Sequence, residues 1–197
     1  MYRKPDRRLL FGASLLYLCL CAPVTLSASG RGGDGVPGTD AGVSRGQWSL
    51  GTIHSVKGVG FCADVFTDTD AFCSLTLTAD LLDIINGQSS TPGLKATCHY
   101  NLILREWKDG KYRLYAGPGL TAGRVRNLDI HLGSMGGVSA DAGLRVSCLH
   151  SLSVSVELQA DFALLFKNRY NPDMGLYRAG FLHSYYPHVR IQYDFGR

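Results

Sequence analysis

Residues 151–166 read SLSVSVELQADFALLF, with an apolar residue at every second position: Leu152, Val154, Val156, Leu158, Ala160, Phe162 and Leu164. Ser153, Ser155, Glu157, Gln159, Asp161 and Ala163 lie between them. Successive side chains of a strand point to opposite faces, so this spacing describes a strand with one oily and one polar face. The pattern recurs along the chain. Cys73, Leu75, Leu77, Ala79 and Leu81 alternate with Ser74, Thr76, Thr78 and Asp80. Leu94, Ala96, Cys98, Tyr100, Leu102 and Leu104 oppose Lys95, Thr97, His99, Asn101 and Arg105. Tyr112, Leu114, Ala116, Leu120 and Ala122 oppose Arg113, Tyr115, Gly117, Gly119, Thr121 and Gly123. Residues 137–148 set Val138, Ala140, Ala142, Leu144, Val146 and Cys148 against Ser139, Asp141, Gly143, Arg145 and Ser147. The stretch 187–197 sets Val189, Ile191, Tyr193 and Phe195 against His188, Arg190, Gln192 and Asp194. Two less regular stretches, at about 46–55 and 58–66, bring the expected number of strands to eight.

Alternation does not say which solvent each face meets. The start of the chain narrows the choice. Arg3, Lys4, Arg7 and Arg8 precede an apolar run from Leu9 to about Cys21, and the small-residue stretch Thr25–Ala28 follows. Charged region, short apolar core and small residues are the layout of a secretory signal, which we assign to 1–28. Residues 29–45, SGRGGDGVPGTDAGVSR, have almost nothing to bury and read as a flexible Gly-rich lead-in. The signal contains four of the 20 basic and one of the 16 acidic residues, leaving 16 bases against 15 acids. The remainder is near neutral, which argues against a nucleic-acid partner.

The connections suggest an up-and-down order over 46–197. Lys108-Asp109-Gly110, Leu149-His150-Ser151 and Thr67–Asp70 are short turns, whereas 83–93, 124–136 and 167–186 are longer. Short turns at one end and long loops at the other are typical of outer-membrane barrels. An eight-stranded barrel is only just wide enough inside for side chains. The polar face then forms a packed lumen network of Lys95, His99, Arg105, Arg113, Asp141, Arg145, Glu157, Asp161 and Arg190. Glu157 and Asp161 are expected to pair with Arg145 or Arg113. The oily face, uncharged at mid-strand and edged by Trp107, Tyr112, Tyr193 and Phe195, meets lipid.

On these features the chain resembles the small outer-membrane β-barrel family of Gram-negative bacteria, the class of the outer-membrane protein A transmembrane domain. The terminal HVRIQYDFGR is similar to the strand signal read by the barrel-assembly machinery, although Gly196 and Arg197 follow its aromatic. The resemblance implies an all-β, eight-stranded transmembrane barrel in the cell outer membrane. Its partners would be outer-membrane lipid, the assembly machinery during biogenesis, and an extracellular or envelope protein. The long segment 167–186 supplies loop contact candidates Arg169, Tyr170, Tyr177, Arg178, Phe181, Tyr185 and Tyr186.

Two other readings stand beside it. Gly46-Gln47-Trp48 matches the opening of lipocalins, soluble barrels in which the oily face would line a ligand cavity. The pairs His54-Ser55, His150-Ser151 and His183-Ser184 suggest a barrel enzyme acting on envelope lipid. Adjacent strand residues point apart, so each pair would need a bulge or loop to act as base and nucleophile. Hence no catalytic residue is assigned. Cys62, Cys73, Cys98 and Cys148 form no C-x-x-C, so neither metal nor cofactor is expected. Cys62 and Cys73 flank the Thr67–Asp70 turn, which allows a disulfide, but the strand parity sets them on different faces.

Overall fold

In a computed structural model the alternating stretches become extended strands: β1 (Trp48–His54), β2 (Gly58–Asp68), β3 (Ala71–Asp80), β4 (Gly93–Trp107), β5 (Tyr112–Arg126), β6 (Leu132–Leu149) and β7 (Leu152–Lys167). The short β8 (Asp173–Leu176) and the longer β9 (His188–Phe195) complete the set. Two short helices, α1 (Leu82–Ile85) and α2 (Arg178–His183), lie in the connections. The structure describes residues 47–68, 70–87, 91–127, 132–149, 151–167, 173–183 and 187–195. The expected signal and lead-in lie outside these residues.

Every pairing is antiparallel. β1 to β7 pair in chain order, β9 returns to lie between β7 and β1, and β6–β7 pairing completes the ring. Eight strands therefore close an up-and-down barrel that has no free edge, and β8 is an extra strand on the far end of β7. Closure satisfies the backbone groups that an open sheet would leave exposed. The tight β4–β5 turn places Lys108, Asp109 and Gly110 all at positive φ, where Gly110 is at +82°.

The oily stripes face outward. On β7, Val156, Leu158, Phe162 and Leu164 are exposed, while Ser153, Ser155, Glu157, Gln159 and Asp161 are buried. Phe61 on β2 is 71% exposed. A cavity lined by the oily face, as the lipocalin reading requires, is therefore excluded. Cys62 faces inward and Cys73 outward, so the two are not bridged.

The strand plan departs from the sequence expectation in three places. The link 124–136 is mostly strand, because β5 runs to Arg126 and β6 begins at Leu132. At that end the polarity of the faces inverts: Val125, Met135 and Leu165 are buried inside, while Arg124 and Ser134 are exposed. The stretch 167–186 contains β8 and α2 as well as loop. Thirdly, the β4–β5 register shifts between Ile103 and Arg105. The extra residue, Leu104, puts Arg105 opposite Leu114 on the outer wall, and Arg105 is exposed there. Arg105 is thus not part of the lumen network.

Glycines let the interior fill. A Cβ on Gly119 would lie 2.2 Å from the His99 ring, and one on Gly143 would lie 2.5 Å from the Tyr115 ring. A Cβ on Gly136 would meet nothing within 4 Å. Gly119→Ala is therefore expected to lower unfolding stability by about 1–3 kcal/mol through overpacking, whereas Gly136→Ala should stay close to the wild type. Urea unfolding of the folded barrel, followed by gel mobility, checks the pair.

Candidate functional site

The inward residues form a continuous polar column with apolar packing at each end. Nearest the short turns, β2 supplies Asp64, β6 supplies Arg145 and β9 supplies Arg190, Gln192 and Asp194. Asp64 accepts from Arg145 Nη1 at 3.0 Å, from Arg190 Nη1 at 3.2 Å and from Gln192 Nε2 at 2.7 Å. Arg145 also donates to Asp194, which accepts the Ser153 hydroxyl at 3.1 Å. The Arg145 guanidinium lies 5.1 Å from the Phe66 ring, and Phe66 packs with Phe72 and Tyr115 in an internal aromatic cluster. Arg113 donates to Glu106 at 2.8 Å.

In the middle, Glu157 on β7 lies 2.9 Å from Arg190 Nε and accepts the Tyr115 hydroxyl at 3.0 Å. Arg190 also donates to the Ser74 hydroxyl at 2.8 Å. Ser139 Oγ lies 2.7 Å from His99 Nε2, and Asp141 Oδ2 lies 3.5 Å from His99 Nδ1. Asn101 donates to Asp141 at 3.2 Å. Serine, imidazole and carboxylate in this order have the layout of an activated nucleophile. Here all three are buried, and Gly119 is packed against the imidazole. A cavity of about 50 Å³ lies toward the long-loop end and is lined by none of the three. The three side chains thus pack against one another and against Gly119 inside the barrel.

Toward the long loops, Lys95 donates to Asp161 at 2.7 Å, Gln159 donates to the same carboxylate at 2.7 Å, and Lys57 pairs with Asp80 at 3.1 Å. These residues line the small cavity. Above it, Val125, Met135, Ala163 and Leu165 meet Tyr177 and Ala179 in an apolar cap. Asn127 fastens that cap. Its Oδ1 accepts the backbone N–H of Arg178 at 2.9 Å and of Ala179 at 3.2 Å, and its Nδ2 donates to the Leu176 carbonyl at 3.0 Å.

Eight of the nine predicted lumen residues thus line the interior: Lys95, His99, Arg113, Asp141, Arg145, Glu157, Asp161 and Arg190. Arg105 is the exception. The expected pairings change as well, since Glu157 partners Arg190, Asp161 partners Lys95, Arg145 partners Asp64 and Asp194, and Arg113 partners Glu106. Asp64, Asp194 and Glu106 are acceptors absent from the sequence-derived set. Among the loop candidates, Tyr177 is buried in the cap rather than exposed for contact, because its ring fills the space over Ala163 and Leu165. Arg178 is exposed at the start of α2, and Phe181 belongs to the same helix. Arg169, Tyr170, Tyr185 and Tyr186 lie outside the described residues. Of the His-Ser pairs, His54 contacts Thr52 Oγ1 at 3.0 Å, while Ser55 bonds to Gly58 in the turn. His150 and Ser184 lie outside the described residues.

No protein-family model matches the chain, and no curated protein matches it by sequence. Among solved structures, the chain is similar to the N-terminal β-barrel domain of Pseudomonas aeruginosa OprF, with a TM-score of 0.52 and 10% identity. The match covers 77% of this chain and 98% of that domain. At that identity the likeness concerns the fold, an eight-stranded antiparallel up-and-down barrel.

Removing one acceptor from the buried column should cost far more than removing an exposed one. Asp64→Ala leaves Arg190 without one of its partners and Arg145 with Asp194 alone, and is expected to destabilise by about 3–5 kcal/mol. Glu106→Gln, at a pair whose carboxylate is 41% exposed, should cost no more than about 1 kcal/mol. Urea midpoints of the two variants measure the contrast.

Proposed function

We propose that this chain is an outer-membrane β-barrel protein with a structural or interaction role, exported by its N-terminal signal. In this reading the lumen is plugged and the long-loop end is the contact surface. The observation that carries it is the polarity of the barrel. A closed ring presents Phe61, Leu77, Leu120, Val138, Val156 and Phe162 outward, and encloses Asp64, Arg145, Glu157 and Arg190. A soluble protein arranges these the other way, because large contiguous apolar surfaces in water drive association. Lipid reverses that preference. The closed ladder is also one of only two backbone arrangements that leave no polar group unsatisfied in hydrocarbon. The OprF likeness agrees with this reading at the level of fold.

Aromatic side chains frame the outer wall where the short turns begin: Trp48 stacks on Phe195 at 3.9 Å, and Tyr193 packs edge-on to Phe195. Such rings favour the membrane–water interface. The packed column supports a plugged lumen, with recognition left to the segments around β8 and α2. The exposed Arg178, and beyond the described residues Arg169, Tyr170, Tyr185 and Tyr186, are the side chains proposed for partner contact.

The expected result is retention of the mature chain in urea-washed outer membranes, with different gel mobility before and after boiling. Val156→Arg, on the outer wall, should lower stability in the bilayer by about 2–4 kcal/mol if that position lies near the midplane. Recovery of the protein in the soluble periplasmic fraction, or an unchanged Val156→Arg barrel, would overturn the membrane reading. Planar-bilayer recordings test the plug separately. Purified protein should give no large, steady conductance, and such currents would show an open pore.

A further inference from the structure

The outer wall at the β4–β5 hairpin groups three cations beside the oily stripes. Trp107 and Tyr112 are direct cross-strand partners there. The Arg105 guanidinium lies 5.1 Å from the Trp107 ring centre, and the Lys108 and Lys111 ammonium groups lie 5.4 and 5.9 Å from that of Tyr112. Two backbone irregularities produce this grouping. The Leu104 bulge turns Arg105 out of the lumen, and the positive-φ turn from Lys108 to Gly110 brings Lys111 round beside Tyr112. Lys111 N closes that turn on the Lys108 carbonyl at 3.2 Å. All three cations are exposed, and among the described residues none forms an ion pair. The acids nearby are Asp109, exposed in the same turn, Asp70 in the neighbouring turn, and Glu106, which is held by Arg113 at 2.8 Å.

We propose that this hairpin end binds the phosphate of an anionic phospholipid in the leaflet facing the short turns. The inference rests on the membrane reading and adds a lipid preference to it. A guanidinium offers paired N–H donors to phosphate oxygens, and ammonium groups add point charge. The rings beneath hold the cations at the edge of the apolar wall, the depth at which a headgroup phosphate sits. A zwitterionic headgroup supplies the same phosphate but adds an ammonium that three nearby cations repel. Juxtamembrane basic groups favour anionic leaflets for the same reason.

The test uses the full chain in phosphatidylcholine vesicles containing brominated phosphatidylglycerol or brominated phosphatidylcholine at equal fraction. Trp48→Phe leaves Trp107 as the reporter, since the chain has two tryptophans. Brominated phosphatidylglycerol should quench Trp107 about twofold more strongly at low salt. In the Arg105→Gln/Lys108→Gln/Lys111→Gln variant, with heat-modifiable mobility confirming a folded barrel, the two lipids should quench equally. Arg124→Gln, exposed on the wall at the other end, should keep the preference. Equal quenching in the unaltered protein overturns the lipid site and leaves the membrane reading intact. A preference that survives the triple variant, or that Arg124→Gln removes, also overturns it. Relief of quenching by added lipopolysaccharide would assign the phosphate to the other leaflet and overturn the assignment. No quenching by either lipid overturns the site and the membrane reading together.

Discussion

Asp64 accepts from three side chains that reach it from β6 and β9, and the rest of the interior is arranged around that junction. Its two arginine partners are 81 and 126 residues away in sequence, so the contact exists only once the ring has closed. An eight-stranded ring leaves room for side chains and little else. Within that space a charge without a partner is costly, since neither water nor lipid can solvate it. Arg190 therefore joins Asp64, Ser74 and Glu157, and Glu157 in turn holds Tyr115. Ring closure and charge pairing depend on each other: the ladder positions the partners, and the partners make a polar interior tolerable.

Period two made the outer face legible from sequence, because on β4 to β7 and β9 the oily residues are long and the inward ones are small or charged. Where that contrast fails, so does the reading. On β2 both faces are apolar at one end, with Phe61 outward and Phe66 inward, and this hid the inward position of Asp64. Around Gly133–Gly137 the side chains are too small to show a period, and Met135 and Leu165 place oil inside. At Leu104 one inserted residue reversed the parity of Arg105. A bulge is set by backbone hydrogen bonding between two strands, and no feature of the isolated β4 segment encodes it.

Ser139, His99 and Asp141 were legible in sequence as polar-face residues, but not as one cluster. Its members come from β4 and β6, and chain neighbours such as His54 and Ser55 drew attention instead. Hydrogen-bond layout alone does not define an active site. A nucleophile needs an approach path and space for a tetrahedral intermediate with its oxyanion donors. Packing around His99 is so close that even a methyl group on Gly119 would collide with the ring. The same layout on the outer wall or at the barrel mouth would carry a different meaning.

The two ends of the barrel are closed by different packing. At the short turns the interior joins the Asp64 charge network to the Phe66–Phe72–Tyr115 cluster, and the rim outside carries cations over aromatic rings. At the long loops the interior is closed by an apolar cap that Asn127 pins through three hydrogen bonds. Among the described residues the cap sets Tyr177 and Ala179 against the strand ends, and the Asn127 that fastens it is half-buried. Elements with few buried contacts and exposed hydrogen bonds open at lower free energy than the strands beneath them. Local opening there would uncover the Lys95–Asp161 pair and the small cavity without disturbing the Asp64 junction, which lies toward the opposite end. The interior is thus closed around a carboxylate junction at one end and around a tyrosine ring at the other.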